Sequence, residues 1–132
     1  MIKDARDRLI KEMRSDTDTF IATSGRIYPQ DIATLKNPAF PCVTVSFGGG
    51  EPDNYLSVLA DASVSIKVFS TKSYNQCWEI YEKVKTALAF GVFTDDSVRI
   101  RTTESTLPIE RYDSVSRLYN VISGWDITII GT

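Results

Sequence analysis

The stretch Ala62-Ser63-Val64-Ser65-Ile66-Lys67-Val68-Phe69 sets Ala62, Val64, Ile66 and Val68 against Ser63, Ser65 and Lys67. Apolar residues at every second position mark a strand with one buried face. Ser70 to Ser73 then supplies capping residues, and the period changes. From Tyr74 to about Phe90, the residues Tyr74, Cys77, Trp78, Tyr81, Val84 and Leu88 recur three or four apart, with Lys72, Glu79, Glu82 and Lys83 mostly opposite. A half-buried strand running directly into an amphipathic helix indicates a helix packed on a sheet. The aromatic stripe on that helix reads as core.

Toward the N-terminus, Ile2, Ala5, Leu9 and Met13 form one stripe with Ile10 beside it, which predicts an amphipathic helix from Ile2 to about Asp16. Its outer face can pair Asp4 with Arg8 and Asp7 with Lys11 at i,i+4, each worth about 0.2–0.5 kcal/mol. Thr17 to Gly25, rich in Thr, Ser and Asp, reads as a connector, and Arg26-Ile27-Tyr28-Pro29 as a short strand. Pro38 and Pro41 push their preceding residues into extended geometry and lead into a strand at Cys42-Val43-Thr44-Val45-Ser46-Phe47. Gly48 to Asn54 reads as a flexible loop or wide turn carrying Glu51 and Asp53, and Tyr55 to Leu59 as a further extended piece.

Toward the C-terminus, Gly91 ends the helix and Asp95-Asp96 turn the chain into a strand at Val98 to Thr103. The last strand runs from about Leu118 to Ile130, with Tyr119, Val121, Trp125, Ile127 and Ile129 on one side and Gly124 marking a bulge. Between them, Glu104 to Arg117 is polar and too long for a tight hairpin turn, so it reads as a projecting arm. The predicted order is α-β-β-β-α-β-β. The fold class is α+β, a mostly antiparallel sheet with two main helices packed on it, in a single domain spanning 1–132.

Composition narrows function. The chain has 132 residues, 42% of them hydrophobic and 24% charged, which is ordinary for one globular core. Fifteen basic against seventeen acidic residues give a formal charge of −2, whereas duplex DNA binding draws on a concentrated basic surface. Charges interrupt the N-terminal apolar residues, so no signal-peptide core forms there. No apolar run reaches the length of a membrane span either. A soluble protein made in the cytosol is expected. Cys42 and Cys77 form no C-x-x-C pair and read as small buried hydrophobes.

The chain contains no histidine, which removes Ser-His-Asp, Cys-His and His-metal sites. The acids cluster as Asp16 with Asp18, Glu51 with Asp53, Glu79 with Glu82, and Asp95 with Asp96. All four pairs read as solvated surface with ordinary carboxylate behaviour. Glu51 and Asp53 are the oxygen donors a hard cation would take, but two nearby acids are weak evidence for a metal site. The Gly48-Gly49-Gly50 run lacks the Lys-Ser/Thr ending of a phosphate loop. No catalytic residue, metal or cofactor is assigned.

Taken together, the N-terminal helix, the fragment Gly25-Arg26-Ile27-Tyr28, the proline-led strand Phe40-Pro41-Cys42-Val43-Thr44-Val45, the strand-then-helix unit Val64 to Leu88 and a long C-terminal hairpin resemble the tail-terminator, or tail-completion, proteins of long-tailed bacteriophages. The resemblance covers nearly the whole chain through element order and short fragments. It implies a virion structural protein that forms a ring, hexameric in most relatives. Such a ring caps the tail tube, stops its polymerisation and meets a head-side connector protein. It implies self-association, contact with the tail tube protein, passage of DNA without specific binding, and a path from host cytoplasm during assembly to the virion tail or neck. A ring needs a head-to-tail interface, for which the arm from Leu107 to Arg117, with Arg111, Tyr112 and Arg117 as anchors, and an exposed sheet edge are candidates. Glu51 and Asp53 are candidate lumen-lining residues, because an acidic wall repels phosphates. Other readings are another neck or head–tail joining component, a small non-catalytic ligand-binding α+β module with a pocket between the helix from Tyr74 and the sheet, and, third, an enzyme.

Overall fold

The computed structural model describes residues 2–29, 38–52, 59–88, 92–94 and 98–131. The elements are α1 (Ile2–Ser15), α2 (Thr17–Thr23), β1 (Ile27–Tyr28), β2 (Cys42–Pro52), β3 (Leu59–Ser70), α3 (Tyr74–Leu88), β4 (Val92–Thr94), β5 (Val98–Asp113) and β6 (Leu118–Gly131). The strands form one sheet in the order β1-β2-β3-β6-β5-β4. Only the β1–β2 pairing is parallel; the other neighbours are antiparallel. The α+β class and the mostly antiparallel sheet therefore stand as read from the sequence.

The core follows from two periods meeting. Ala62, Val64, Ile66 and Val68 of β3 and Val121, Trp125, Ile127 and Ile129 of β6 alternate onto one face. Val68 pairs with Val121, Val64 with Trp125 and Ala62 with Ile127, so the two alternations are in phase. Helix α3 lays Cys77, Ile80, Tyr81, Val84 and Leu88 on this face, and α1 adds Ala5, Leu9, Ile10 and Met13. Each large side chain so buried contributes about 1.5–3 kcal/mol of transfer free energy. Inside this layer the Trp125 indole N–H donates to Ser123 Oγ at 3.1 Å, and Ser123 Oγ donates to the Ile66 carbonyl at 3.0 Å. The largest core side chain thus brings no unpaired polar atom with it.

The two N-terminal fragments lock to each other. Val43 N–H donates to the Arg26 carbonyl at 3.0 Å, Arg26 Nε donates to the Pro41 carbonyl at 2.9 Å, and Arg14 donates to the Ile27 carbonyl at 2.7 Å. A smaller apolar cluster of Cys42, Phe69 and Leu118, with Phe40 and Tyr28 against it, lies apart from the main core.

Four sequence expectations are corrected. Thr17 to Gly25 is not a connector. Asp16 caps a short helix there, its Oδ2 accepting from Thr19 N at 3.0 Å and from Thr19 Oγ1 at 2.6 Å, and Ser24 (φ 52°) and Gly25 (φ 75°) end it in left-handed geometry. Gly48 to Pro52 is not a loop: β2 continues through it, with the register shift between Phe47 and Gly49 absorbing one glycine. The predicted arm from Glu104 is β5 itself, paired with β6 as far as Asp113↔Leu118. Val92–Thr94 adds a strand beyond the expected order. On α1, Arg8 pairs with Glu12 at 3.0 Å. Asp53, Asn54, residues 55–58 and the Asp95-Asp96 turn lie outside the described residues.

Candidate assembly interface

Among the described residues, strand β5 has a neighbour on both sides only where β4 pairs with Arg99 to Arg101. From Thr102 to Asp113, β6 is its one partner among the described residues, so twelve residues form an open sheet edge. Such edges are normally shortened or blunted with charge. Here the outer half carries large apolar side chains: Leu107 is 83% exposed, Ile109 57%, Tyr112 48% and Val115 in the following turn 92%. The candidates Arg111 and Arg117 are also exposed and lie among them. A surface that combines unpaired backbone, exposed aliphatics, Tyr and Arg has the composition of a protein–protein contact.

This edge is held rigidly. The turn between β5 and β6 is built by Asp113, whose Oδ1 accepts from Val115 N at 3.0 Å and Ser116 N at 3.4 Å, and by Arg117 at φ 57°. Hydrogen bonds from the Ser116 hydroxyl and from the Val115 and Ser116 amides hold the Asp113 carboxyl below its usual range. The register shifts between Glu104 and Thr106, opposite Gly124, and again between Thr106 and Ile109. Gly124 therefore does mark a bulge, and the extra residue sits on the facing strand. A Cβ at Gly124 would lie 2.8 Å from Thr106 Oγ1, which instead accepts the Gly124 N–H at 3.2 Å.

Helix α3 braces the same strand from behind. Tyr74 meets Tyr119 edge-on at 5.0 Å, and Tyr119 meets its cross-strand partner Tyr112 at 4.8 Å. The Trp78 indole donates to Glu110 Oε1 at 2.6 Å, and the Tyr81 hydroxyl donates to Glu104, which also lies 3.8 Å from Lys85 Nζ. Burial, together with the bond to Glu104, pushes the Tyr81 hydroxyl well above its ordinary pKa, so it stays a donor. Trp78, read from the sequence as core, is half-buried and serves as this bridge.

The structure thus brings Arg111, Tyr112 and Arg117 together on one hairpin. It does not bring Glu51 to them: Glu51 pairs with Asp61 near the far end of β2, on the other side of the sheet. Asp53 lies outside the described residues. Leu107, Ile109 and Val115 lie inside the candidate arm but were not named as anchors, because a polar stretch with isolated aliphatics has no period; their signal was that no partner face claimed them. Asp16, Asp18, Glu79 and Glu82, read as separate surface pairs, gather around one shallow depression with Lys83 and Thr86. Between α3 and the sheet, where the rival ligand-module reading would place a pocket, Cys77, Ile80, Tyr81, Val84 and Leu88 form core. An open groove of about 390 Å³ lies elsewhere, lined by Pro38, Phe40, Phe69, Leu118 and Asn120 among others. Both cysteine thiols are buried, and burial pushes Cys42 up to about 12 and Cys77 up to about 11. They are protonated, unreactive core groups.

No protein-family model matches the chain, and no curated protein matches it. Among solved structures, a chain from the "Virion of native gene transfer agent (GTA) particle" is similar over 96% of this chain and 94% of its own length. Its TM-score is 0.73 at 13% sequence identity. At that identity the likeness is one of fold.

Proposed function

We propose that this chain is a structural protein of a phage-like virion, a single tail-terminator-like domain spanning 1–132. On this reading it forms a ring, hexameric as in the family it resembles, at the head-proximal end of the tail. The ring stops polymerisation of the tail tube and joins the tail to the head connector. It assembles in the host cytoplasm and ends in the tail or neck, and no catalysis is involved.

The observation that carries the reading is the β5 edge: unpaired backbone, four exposed apolar side chains and two arginines, braced by α3. An isolated monomer gains nothing from such an edge and is exposed to aggregation by it. Coverage of both chains in the fold likeness to a virion component supports the same reading. On this reading Arg111, Tyr112 and Arg117 lie at the subunit contact. Glu51 and Asp53 are assigned to the lumen, where DNA passes without specific binding.

Native mass spectrometry of the purified chain over a wide concentration range tests this. A closed ring is expected. A monomer at every concentration would remove the self-assembling ring. The groove beside Phe40 and Asn120 favours a second reading as a small-ligand module; there Asn120 Oδ1 is buried without a hydrogen-bond partner among the described residues. A retained metabolite in the same spectra would support that reading.

A further inference from the structure

The sheet has two open edges, and their placement is complementary. On β2, the parallel strand β1 covers Val43 and Thr44, leaving Val45 to Pro52 unpaired on that side among the described residues. On β5 the open edge ends at Asp113. β2 and β5 sit at opposite sides of the β2-β3-β6-β5 array and, through three antiparallel steps, run in opposite directions. When copies are placed side by side in one orientation, β2 of one therefore meets β5 of the next in antiparallel sense. Each edge also carries a proline, which has no N–H to give a ladder: Pro52 at the end of β2 and Pro108 within β5. The usable stretches are Val45 to Glu51 and Ile109 to Tyr112.

We infer that copies of this chain join by edge-to-edge pairing of β2 with the neighbour's β5, Ser46 lying opposite Arg111 and Gly48 opposite Ile109, so that their sheets close into one continuous barrel. This rests on the ring proposed above and specifies its contact.

Three features fix the register. Cross-strand partners share a face, and Ser46 and Arg111 both occupy alternate positions to residues directed at the α3 side, Val45 on β2 and Glu110 on β5. Next, the exposed Ile109 falls against the glycine run of β2, which has no side chain to oppose it; large residues across from edge glycines restore the covering that glycine lacks. Lastly, the stagger matches barrel geometry. Within one chain Ser46 pairs with Ser65, Ser65 with Gly124 and Gly124 with Thr106, whereas Arg111 pairs with Asn120. Pairing Ser46 with the neighbour's Arg111 therefore offsets each subunit by the distance from Gly124 to Asn120, four residues of β6. Four residues rise about 13 Å while four strands span about 19 Å, which tilts the strands by about 35°. Closed barrels tilt their strands by about 35–45°. Pairing without stagger would leave the strands parallel to the ring axis.

Disulfide trapping tests this. The variant carrying Ser46→Cys with Arg111→Cys is oxidised and run on denaturing gels, beside a mismatched variant carrying Ser46→Cys with Thr103→Cys. Native mass spectra and cooperative unfolding are recorded for both in reduced form. The buried Cys42 and Cys77 stay out of the reaction. A covalent ladder of oligomers from the first pair, at least tenfold more abundant than from the second, is expected. Rings that form while the first pair gives no ladder, or while the mismatched pair gives the stronger one, would overturn the edge pairing and leave the ring standing. Folded variants that remain monomeric with neither pair linked would overturn both.

Discussion

The bulge opposite Gly124 shapes the strand that carries the proposed contact, and its cost can be worked out. In Gly124→Ala the new Cβ would sit 2.8 Å from Thr106 Oγ1 and 3.3 Å from Ser105 Oγ. Thr106 is β-branched and stiff at χ1, and the crowded oxygen is the acceptor for the Gly124 N–H. Relieving the clash therefore sacrifices the bond. Overpacking of this kind costs about 1–3 kcal/mol, and the lost hydrogen bond about 0.5–1.5 kcal/mol. Replacing a strand glycine returns about 0.5–1 kcal/mol, so the net loss is about 2 kcal/mol. For a domain of this size that lowers Tm by roughly 6–10 °C. Urea unfolding followed by tryptophan fluorescence measures it, at one fixed protein concentration because assembly shifts apparent stability. In a Thr106→Ala background the clash partner is gone, and Gly124→Ala should cost at least about 1 kcal/mol less. An undiminished cost there, or no cost in the parent, would refute the steric account.

Asp16→Ala removes both bonds from Thr19 at the start of α2 and should cost about 1–2 kcal/mol, while Asp16→Ser retains most of the stability; thermal unfolding followed by circular dichroism distinguishes them. Cys42 and Cys77 have folded pKa values raised from 9.0 to about 12 and about 11. The unfolded chain therefore loses these protons first, and stability, intact below pH 9, should fall as pH rises from about 9 to 12. Replacing both by Ala should flatten that limb of a stability–pH profile relative to the parent. Arg111→Ala combined with Tyr112→Ala should shift native mass spectra from ring toward monomer. Because Tyr112 also packs on Tyr119, a stability loss of about 0.5–1.5 kcal/mol should accompany it. Assembly at the parental concentration would exclude these residues from the contact.

Periodicity made much of this fold legible. Ala62 to Val68, Tyr74 to Leu88 and Val121 to Ile129 each present one apolar face, and a side chain that must leave water reports its partner face through spacing alone. The same logic made the hairpin opaque. From Glu104 to Asp113 the chain is an edge strand whose alternation is broken twice, by the shifts at Thr106 and Ile109; with the period lost, a strand reads as an arm. Asp16 was visible as an acid, but its role as a cap depends on Thr19 folding back onto it, and a seven-residue helix is too short to show a period. Gly48 to Pro52 reads as a turn because glycine favours turns; it stays extended because Ser63, Ala62 and Asp61 are in place to pair with it.

By itself, then, the sequence determined the α+β class, the helix-facing core and the absence of histidine chemistry, since these depend on residue identity and on spacing within one element. Which edges of the sheet remain open, how far apart they lie along the strands, and that Leu107, Ile109, Tyr112 and Val115 share one of them were decided only by tertiary structure. Edges and exposure are properties of which strand lies beside which, and strand order is set by contacts between residues far apart in the chain.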